Sequence, residues 1–454
     1  MKLRFGVDKL LGRGETGQVA EIRRLFTTLG FLTAKAGATA LIGLAYWAVA
    51  THLFSARDVG LAAASASTGV LLATVGAVGI PLLLLAEIEA VDPQERRVMF
   101  TTGMAITSAI VLVLAIGTMA LSPHLGKSLS VIGGDPVTAV LFVVGSVATM
   151  WGLTLDDTAI GLHRGAAQLW RGSLSSLLKL AIVGPLVLAA TRTGTGLIFA
   201  WAFAMVLSVF VCFPMLALGP ARPGEGTIGH RVALVRRFGK LSLQHHVLNL
   251  SIGSVSYAIP LAATLLISPQ QVAYFSAAYL LSATLLILPY LIALSLFAER
   301  SGDAGLLHRH VRRTLPLGLA LAGVIVLVVE IAAPYVLHLF GPAYAVNGTT
   351  ALRIMILVGP AYVVKDHYVS ICRAQHLMTH ASKVMAIGTM AELAGAAVGG
   401  VVWGLTGICA GWAVAAGCEA LVLLPSVLRV YRRAPAPALQ EEASTAERGR
   451  VSGG

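Results

Sequence analysis

Residues 98–121 read VMFTTGMAITSAIVLVLAIGTMAL, an uncharged apolar run that follows Glu95, Arg96 and Arg97. A bilayer crossing needs about 20 mostly apolar residues at roughly 1.5 Å each, so this run is long enough to span. Comparable stretches lie on both sides of it, at 29–51, 59–85, 137–155, 173–190, 195–217, 241–267, 271–297, 315–337, 350–371, 383–403 and 407–428. Twelve crossings return both termini to the same side. Backbone amides have no partner in lipid unless a helix or a closed barrel satisfies them. The expectation is therefore an all-α polytopic membrane protein with twelve transmembrane helices.

The chain is 57% hydrophobic and only 12% charged, about half the charged fraction of ordinary soluble domains. That excludes a water-soluble enzyme of this length. Residues 1–28 are polar and basic, so no cleavable signal peptide is expected.

The net charge of +12 raises the question of a nucleic-acid partner, and its distribution answers it. With the N-terminus placed in the cytoplasm, 26 of the 33 Lys and Arg residues fall on cytoplasmic segments. Three (Arg57, Lys127 and Arg192) fall on outer loops, and four (Lys35, Lys179, Arg353 and Lys365) lie within spans. This is the positive-inside rule, so the basic character reports topology and contact with anionic headgroups; no nucleic acid is expected.

Cys212, Cys372, Cys409 and Cys418 sit in or at the ends of spans without CxxC spacing, and read as small apolar residues. No metal site and no cofactor are expected. Gly12, Gly14 and Gly17 spell GxGxxG, but a nucleotide loop needs a strand and a nucleotide fold around it, and membrane follows here. Asn347-Gly348-Thr349 is a glycosylation sequon, placed on an outer loop. His308 and His310, beside Arg309, Arg312 and Arg313, read as a solvated basic loop.

The longest internal connection, 218–240, carries Pro220, Pro223 and four basic residues from Arg231 to Lys240. It divides the chain into a basic cytoplasmic segment (1–28), a six-helix lobe (29–217), this linker, a second six-helix lobe (241–430) and a disordered cytoplasmic tail (431–454). The two lobes share a faint repeat: ATHLFSARDVGLAAA (Ala50–Ala64) registers with ATLLISPQQVAYFSA (Ala263–Ala277). Two six-helix bundles related by a pseudo-twofold are expected.

Ionisable residues inside spans are costly, at about 2.5–3.5 kcal/mol on insertion scales, and usually face a cavity or a partner. Lys35, Lys179 and Lys365 stand at similar predicted depths, about 9 Å inside the cytoplasmic boundary at helical rise. His245 and His246 enter the seventh span near the same level. A cationic ring suits a phosphate-bearing headgroup; independent snorkelling to the interface is the competing reading. The acids concentrate late: Glu392 and Glu419 near mid-membrane, and Glu330 in the outer third of the ninth span. They suit proton exchange with the membrane gradient, or structural pairing with Lys365 or Arg353. Asp156, Asp157 and Glu87 are placed at the cytoplasmic edge. Pro81, Pro185, Pro214, Pro260, Pro289, Pro334 and Pro360 recur mid-span as kinks.

Three further stretches carry a family resemblance: LFSARDVGLAAASAS (Leu53–Ser67), VLHLFGPAYAVNGTTALRIMILVGPAYVV (Val336–Val364), and CRAQHLMTHASKVM from Cys372 continuing to GLTGICAGWAVA (Gly404–Ala415). With these the chain resembles the Wzx-like polysaccharide-flippase branch of the multidrug/oligosaccharidyl-lipid/polysaccharide exporter superfamily, whose drug-exporting members are the MATE proteins. The resemblance implies a transporter, not an enzyme. It would move a lipid-linked oligosaccharide on an undecaprenyl pyrophosphate carrier across the cytoplasmic membrane by alternating access, for cell-surface polysaccharide synthesis. It implies a membrane-lipid environment, and a polysaccharide polymerase and glycosyltransferases as partners. Headgroup contacts would fall to Lys35, Lys179, Lys365, His245 and His246, with Arg353 on the exit side. The first span carries Lys35 and no acid, which favours an anionic substrate over the cationic drugs of the multidrug exporters. Ion-coupled drug export and a non-transporting scaffold of a polysaccharide assembly remain the alternatives. The high Ala and Gly content suggests a bacterial source.

Overall fold

The computed structural model describes residues 41–189, 192–219, 227–253, 255–295, 304–375 and 377–432. The basic leader with its GxGxxG motif, Lys35 and the C-terminal tail all lie outside these residues. Nine helices among the described residues are long and apolar enough to cross a membrane, and two shorter apolar helices, Leu41–Leu53 and Val255–Leu266, accompany them. The architecture is all-α, and the chain is a multi-pass membrane protein. Broad apolar faces stay uncovered, as on Leu112, Val113 and Ile116 or Leu327, Val328 and Ile331, the faces a lipid solvent requires.

The chain forms two compact units, residues 1–247 with 268–273 and residues 248–267 with 274–454. The first contains α1 (Leu41–Leu53), α2 (Ala56–Gly76), α3 (Ile80–Glu87), α4 (Glu95–Leu121), a short α5 (Gly126–Gly134), α6 (Pro136–Gly161), α7 (Gly165–Leu188), α8 (Gly194–Cys212) and most of α9 (Ile228–Gly253). At its centre α6 packs on α8, α2, α3, α4 and α7. Small residues permit that approach: the Trp201 ring of α8 fills a slot over Gly145 of α6 and Gly69 of α2. A Cβ at Gly145 would stand 2.3 Å from the ring and one at Gly69 2.6 Å. In lipid, where burial of apolar surface gives little drive, such close packing supplies the cohesion.

The second unit contains α10 (Val255–Leu266), most of α11 (Pro269–Ser295), α12 (Ala304–His338), α13 (Pro342–Ile356), α14 (Gly359–Ala374) and α15 (Met378–Arg432). Helix α15 folds back on itself at Trp403 and Gly404 (φ +58°), where the sequence reading placed the turn between 383–403 and 407–428. Its arms meet through two glycine pairs. A Cβ on Gly407 would lie 1.8 Å from the Gly399 carbonyl, and one on Gly411 would lie 2.0 Å from that of Gly395.

Several boundaries differ from the sequence reading. The stretch 59–85 is broken at Val78 (φ +46°) and Gly79 (φ +76°), and Pro81 opens α3 instead of kinking a continuous helix. Ser242 of α9 donates to the Val78 carbonyl at 2.7 Å, which satisfies backbone freed by the break. The stretch 350–371 is likewise split between α13 and α14, with Pro360 at the start of α14. Within the linker 218–240, residues from Ile228 onward already belong to α9. The sequon Asn347–Thr349 lies inside α13 and not in a loop. His308 is only 4% exposed and bonds through Nδ1 to the Val430 carbonyl at 2.8 Å, so it ties α12 to the end of α15 and is not a solvated loop residue. The repeat at Ser55 and Ser268 has a structural counterpart. Ser55 accepts the Asp58 amide at 3.2 Å and Ser268 the Gln271 amide at 3.4 Å, each at a helix start.

Candidate functional site

The ionisable residues of the spans are gathered into small, separate clusters. In the first unit Arg171 of α7 donates through Nε and Nη2 to Asp156 of α6, at 2.7 and 2.6 Å. The pair is bidentate, the strongest geometry open to arginine and carboxylate. Both side chains are about nine-tenths buried. Gly152, one turn before Asp156, provides the space: a Cβ there would stand 2.8 Å from Arg171 Nη1.

The sequence reading placed Asp156 at the cytoplasmic edge and counted Arg171 on a cytoplasmic segment, because the apolar stretches stop at 155 and resume at 173. The helices run on through both positions. A signal was present. Asp156 and Arg171 lie at nearly equal distances, six and seven residues, from the turn at Leu162–Arg164, so an antiparallel hairpin brings them close.

Lys179 lies two turns beyond Arg171 on α7, half-buried, with Nζ 5.6 Å above the centre of the Tyr46 ring of α1. No carboxylate pairs with it among the described residues. The ring face offers a modest electrostatic partner that leaves the ammonium's hydrogen-bond donors free. Because α7 starts at Gly165 and not near 173, Lys179 is about 14 residues into its helix, roughly 21 Å from its start at helical rise. His246 of α9 is buried against the break at Gly79, where a Cβ would come within 2.9 Å of its own Cβ. It supports the break, which is a structural position the sequence did not reveal. The side chain of His245 lies outside the described set.

In the second unit Lys365 of α14 is 5% exposed and sits against two acids of α15. Its ammonium contacts Glu392 Oε1 directly and stands 2.7 Å from Glu419 Oε2. Glu392, fully buried, also accepts from the Tyr362 hydroxyl at 3.1 Å and from Trp412 Nε1 at 2.8 Å. The Tyr362 ring lies 4.7 Å beneath Lys365 Nζ. Gly388 makes room for Glu419, since a Cβ there would fall 2.0 Å from Oε1.

All three acids picked out from sequence thus lie beside a basic residue, Glu392 and Glu419 at Lys365 and Glu330 at Arg353. Lys365, expected as a free cationic contact, is neutralised by carboxylates. Arg353 is paired as well: its Nε donates to the Glu330 carbonyl at 2.9 Å and lies 3.5 Å from Glu330 Oε2, with both side chains partly exposed. Tyr362, Trp412 and Gly388 were not picked out from sequence, because aromatic and glycine residues are common in any span.

No family model matches the chain. A protein of Haloferax volcanii named probable flippase AglR is 25% identical over 328 residues, which cover 70% of this chain and 65% of that protein. The chain therefore spans about 65% of the length of this curated relative. Among solved structures, the lipid II flippase MurJ in an inward closed conformation has a TM-score of 0.61 at 14% identity, covering 90% of each chain. An inward-facing multidrug resistance MATE family transporter of the MOP superfamily has a TM-score of 0.59 at 16% identity, covering 87% of this chain and 93% of that one. A MATE protein in the straight conformation follows at 0.53 and 14% identity. The chain has the MATE-like fold of these transporters.

Proposed function

We propose that this protein is a flippase that carries a lipid-linked oligosaccharide, on a polyprenyl pyrophosphate carrier, across the membrane by alternating access. The fold is shared by drug transporters and lipid flippases and does not choose between them. The observation that favours a flippase is the alignment with a relative of that name, which covers 70% of this chain. The buried charge of this chain agrees. Lys179, which has no carboxylate partner among the described residues, stands in the first unit, and a cationic drug would be repelled by it. An anionic phosphate would gain a charge-assisted contact.

On this reading the chain crosses the membrane twelve times with both termini cytoplasmic. Its lobes are 29–217 and 241–430, and the matching serine caps at Ser55 and Ser268 support the repeat between them. Lys35, Lys179 and His245 form the cytoplasm-facing headgroup contacts, while His246 is held at the break beside Gly79. Arg353 and Lys365, already balanced by acids, contribute less to binding.

The test is genetic and chemical. Cells lacking the protein should lose surface glycan and accumulate the lipid-linked precursor on the cytoplasmic leaflet, and Lys179→Ala should fail to restore export while Lys179→Arg restores part of it. Normal surface glycan in the deletion strain, with retention of a cationic dye, would replace this reading with drug export.

A further inference from the structure

The two carboxylates beside Lys365 have unequal surroundings. Glu392 receives the ammonium, the Tyr362 hydroxyl and the Trp412 indole N–H, three donors that together satisfy an ionised carboxylate. Glu419 has a side chain about nine-tenths buried, and its contacts are Lys365 Nζ at 2.7 Å and the carboxyl of Glu392; unlike Glu392 it meets no tyrosine or tryptophan donor. One ammonium balances one carboxylate. A second carboxylate in the same closed site leaves a buried negative charge uncompensated, and like charges in one pocket disfavour double ionisation.

Of the other titratable groups packed nearby, Arg373 interacts with Asp366, and the groups beside Glu392 are phenols. Tyr362 and Tyr279 are neutral phenols, the latter donating to the Ser256 carbonyl at 3.0 Å with Tyr257 beside it, and Asp366 on α14 is a further acid. The site is also occupied where a metal ion would have to sit, because the ammonium already lies between the two carboxylates.

The geometry points to a proton-exchange site at Glu419: its carboxyl holds one proton while Lys365 and Glu392 remain an ion pair, and releases it when water reaches the cluster. The release is a simple dissociation. The O–H bond of Glu419 breaks, the proton leaves to solvent, and the cluster passes from neutral to one net negative charge with Lys365 shared by both carboxylates. Gly388 serves the site by leaving the place its side chain would take to the Glu419 carboxyl. Coupling of this step to export rests on the flippase reading; the bound proton does not.

The experiment is infrared spectroscopy of the full-length protein in lipid bilayers across a pH series, with unlabelled and carboxyl-13C-labelled glutamate. A protonated-carboxyl band that shifts with the label is expected at neutral pH. Glu419→Gln should remove it. Glu392→Gln should remove it too, because Lys365 then pairs with Glu419 alone, and Lys365→Met should enlarge it. Absence of a label-shifted band in the wild-type protein at every pH overturns the proposal whether or not any variant folds. So does a band indifferent to Glu419→Gln. In a parallel arm, vesicles are assayed for lipid-linked glycan translocation with and without a protonophore. A band with the expected variant pattern but no translocation overturns the flippase reading and leaves the proton site standing. Translocation unaffected by both Glu419→Gln and the protonophore overturns the coupling role.

Discussion

Replacing Arg171 with methionine should be among the most damaging single changes in the first unit. The guanidinium makes two hydrogen bonds of 2.7 and 2.6 Å to Asp156, and the two side chains are only 10% and 11% exposed. Hydrogen bonds to charged groups are worth about 1.5–3 kcal/mol each, and removing one member of a buried pair costs about 3–5 kcal/mol, because the remaining buried charge loses its bidentate partner. The two figures agree, and Arg171→Met is expected to lose about 3–5 kcal/mol. Asp156→Leu alone strands the guanidinium and should cost a similar amount. The double variant removes both charges and fills the space with apolar atoms, which is often neutral or stabilising, so it should recover most of the loss. The measurement is equilibrium unfolding of the purified protein in mixed micelles, arranged as a double-mutant cycle. A loss below about 1 kcal/mol for Arg171→Met would mean that the pair is hydrated and screened. Additive single effects, with no recovery in the double variant, would refute the argument from the lost partner.

Other consequences are open to simpler tests. Gly407→Ala places a methyl 1.8 Å from the Gly399 carbonyl oxygen and 2.5 Å from its carbon, backbone atoms that cannot turn aside. The arms of α15 must part, and a loss of about 1–3 kcal/mol is expected in thermal unfolding, whereas Gly417→Ala, with open space around it, should be nearly silent. Gly79→Ala combines φ +76° with a Cβ 2.0 Å from the Ser242 carbonyl, so it should cost more than the roughly 1–2 kcal/mol of a left-handed residue alone and raise amide exchange around Val78. At the start of α6 the Thr138 hydroxyl, then the backbone N–H groups of Thr138 and Val137, hold the Asp135 carboxyl below its usual range. A depressed carboxylate contributes its capping above the unfolded value and loses it as pH falls through the lowered folded value. Exchange protection at the Val137 and Thr138 amides should therefore persist through mild acid and fail only in stronger acid.

The helical, membrane-spanning character of this chain was legible without coordinates, and for a definite reason. Lipid acts on each segment separately, so an uncharged run such as 98–121 declares itself whatever its neighbours are, and α4 covers it in full. The turn between the arms of α15 was legible too, as the short interval between the apolar stretches 383–403 and 407–428, and the structure puts the positive φ of Gly404 there. Helix ends were less legible. Asp156 and Arg171 look like edge residues while hydropathy is the only guide, since a charge lowers the local score even when a partner cancels it.

What only tertiary structure decided is which charges meet. Lys365, Glu392 and Glu419 are spread over some fifty residues of sequence, and no periodicity links α14 to both arms of α15. Their union depends on Gly388 having no side chain and on a hairpin whose register the glycine pairs 395/411 and 399/407 set. The price of a buried charge can be read from one residue. Its compensation depends on distances of a few ångströms between helices, which composition does not encode.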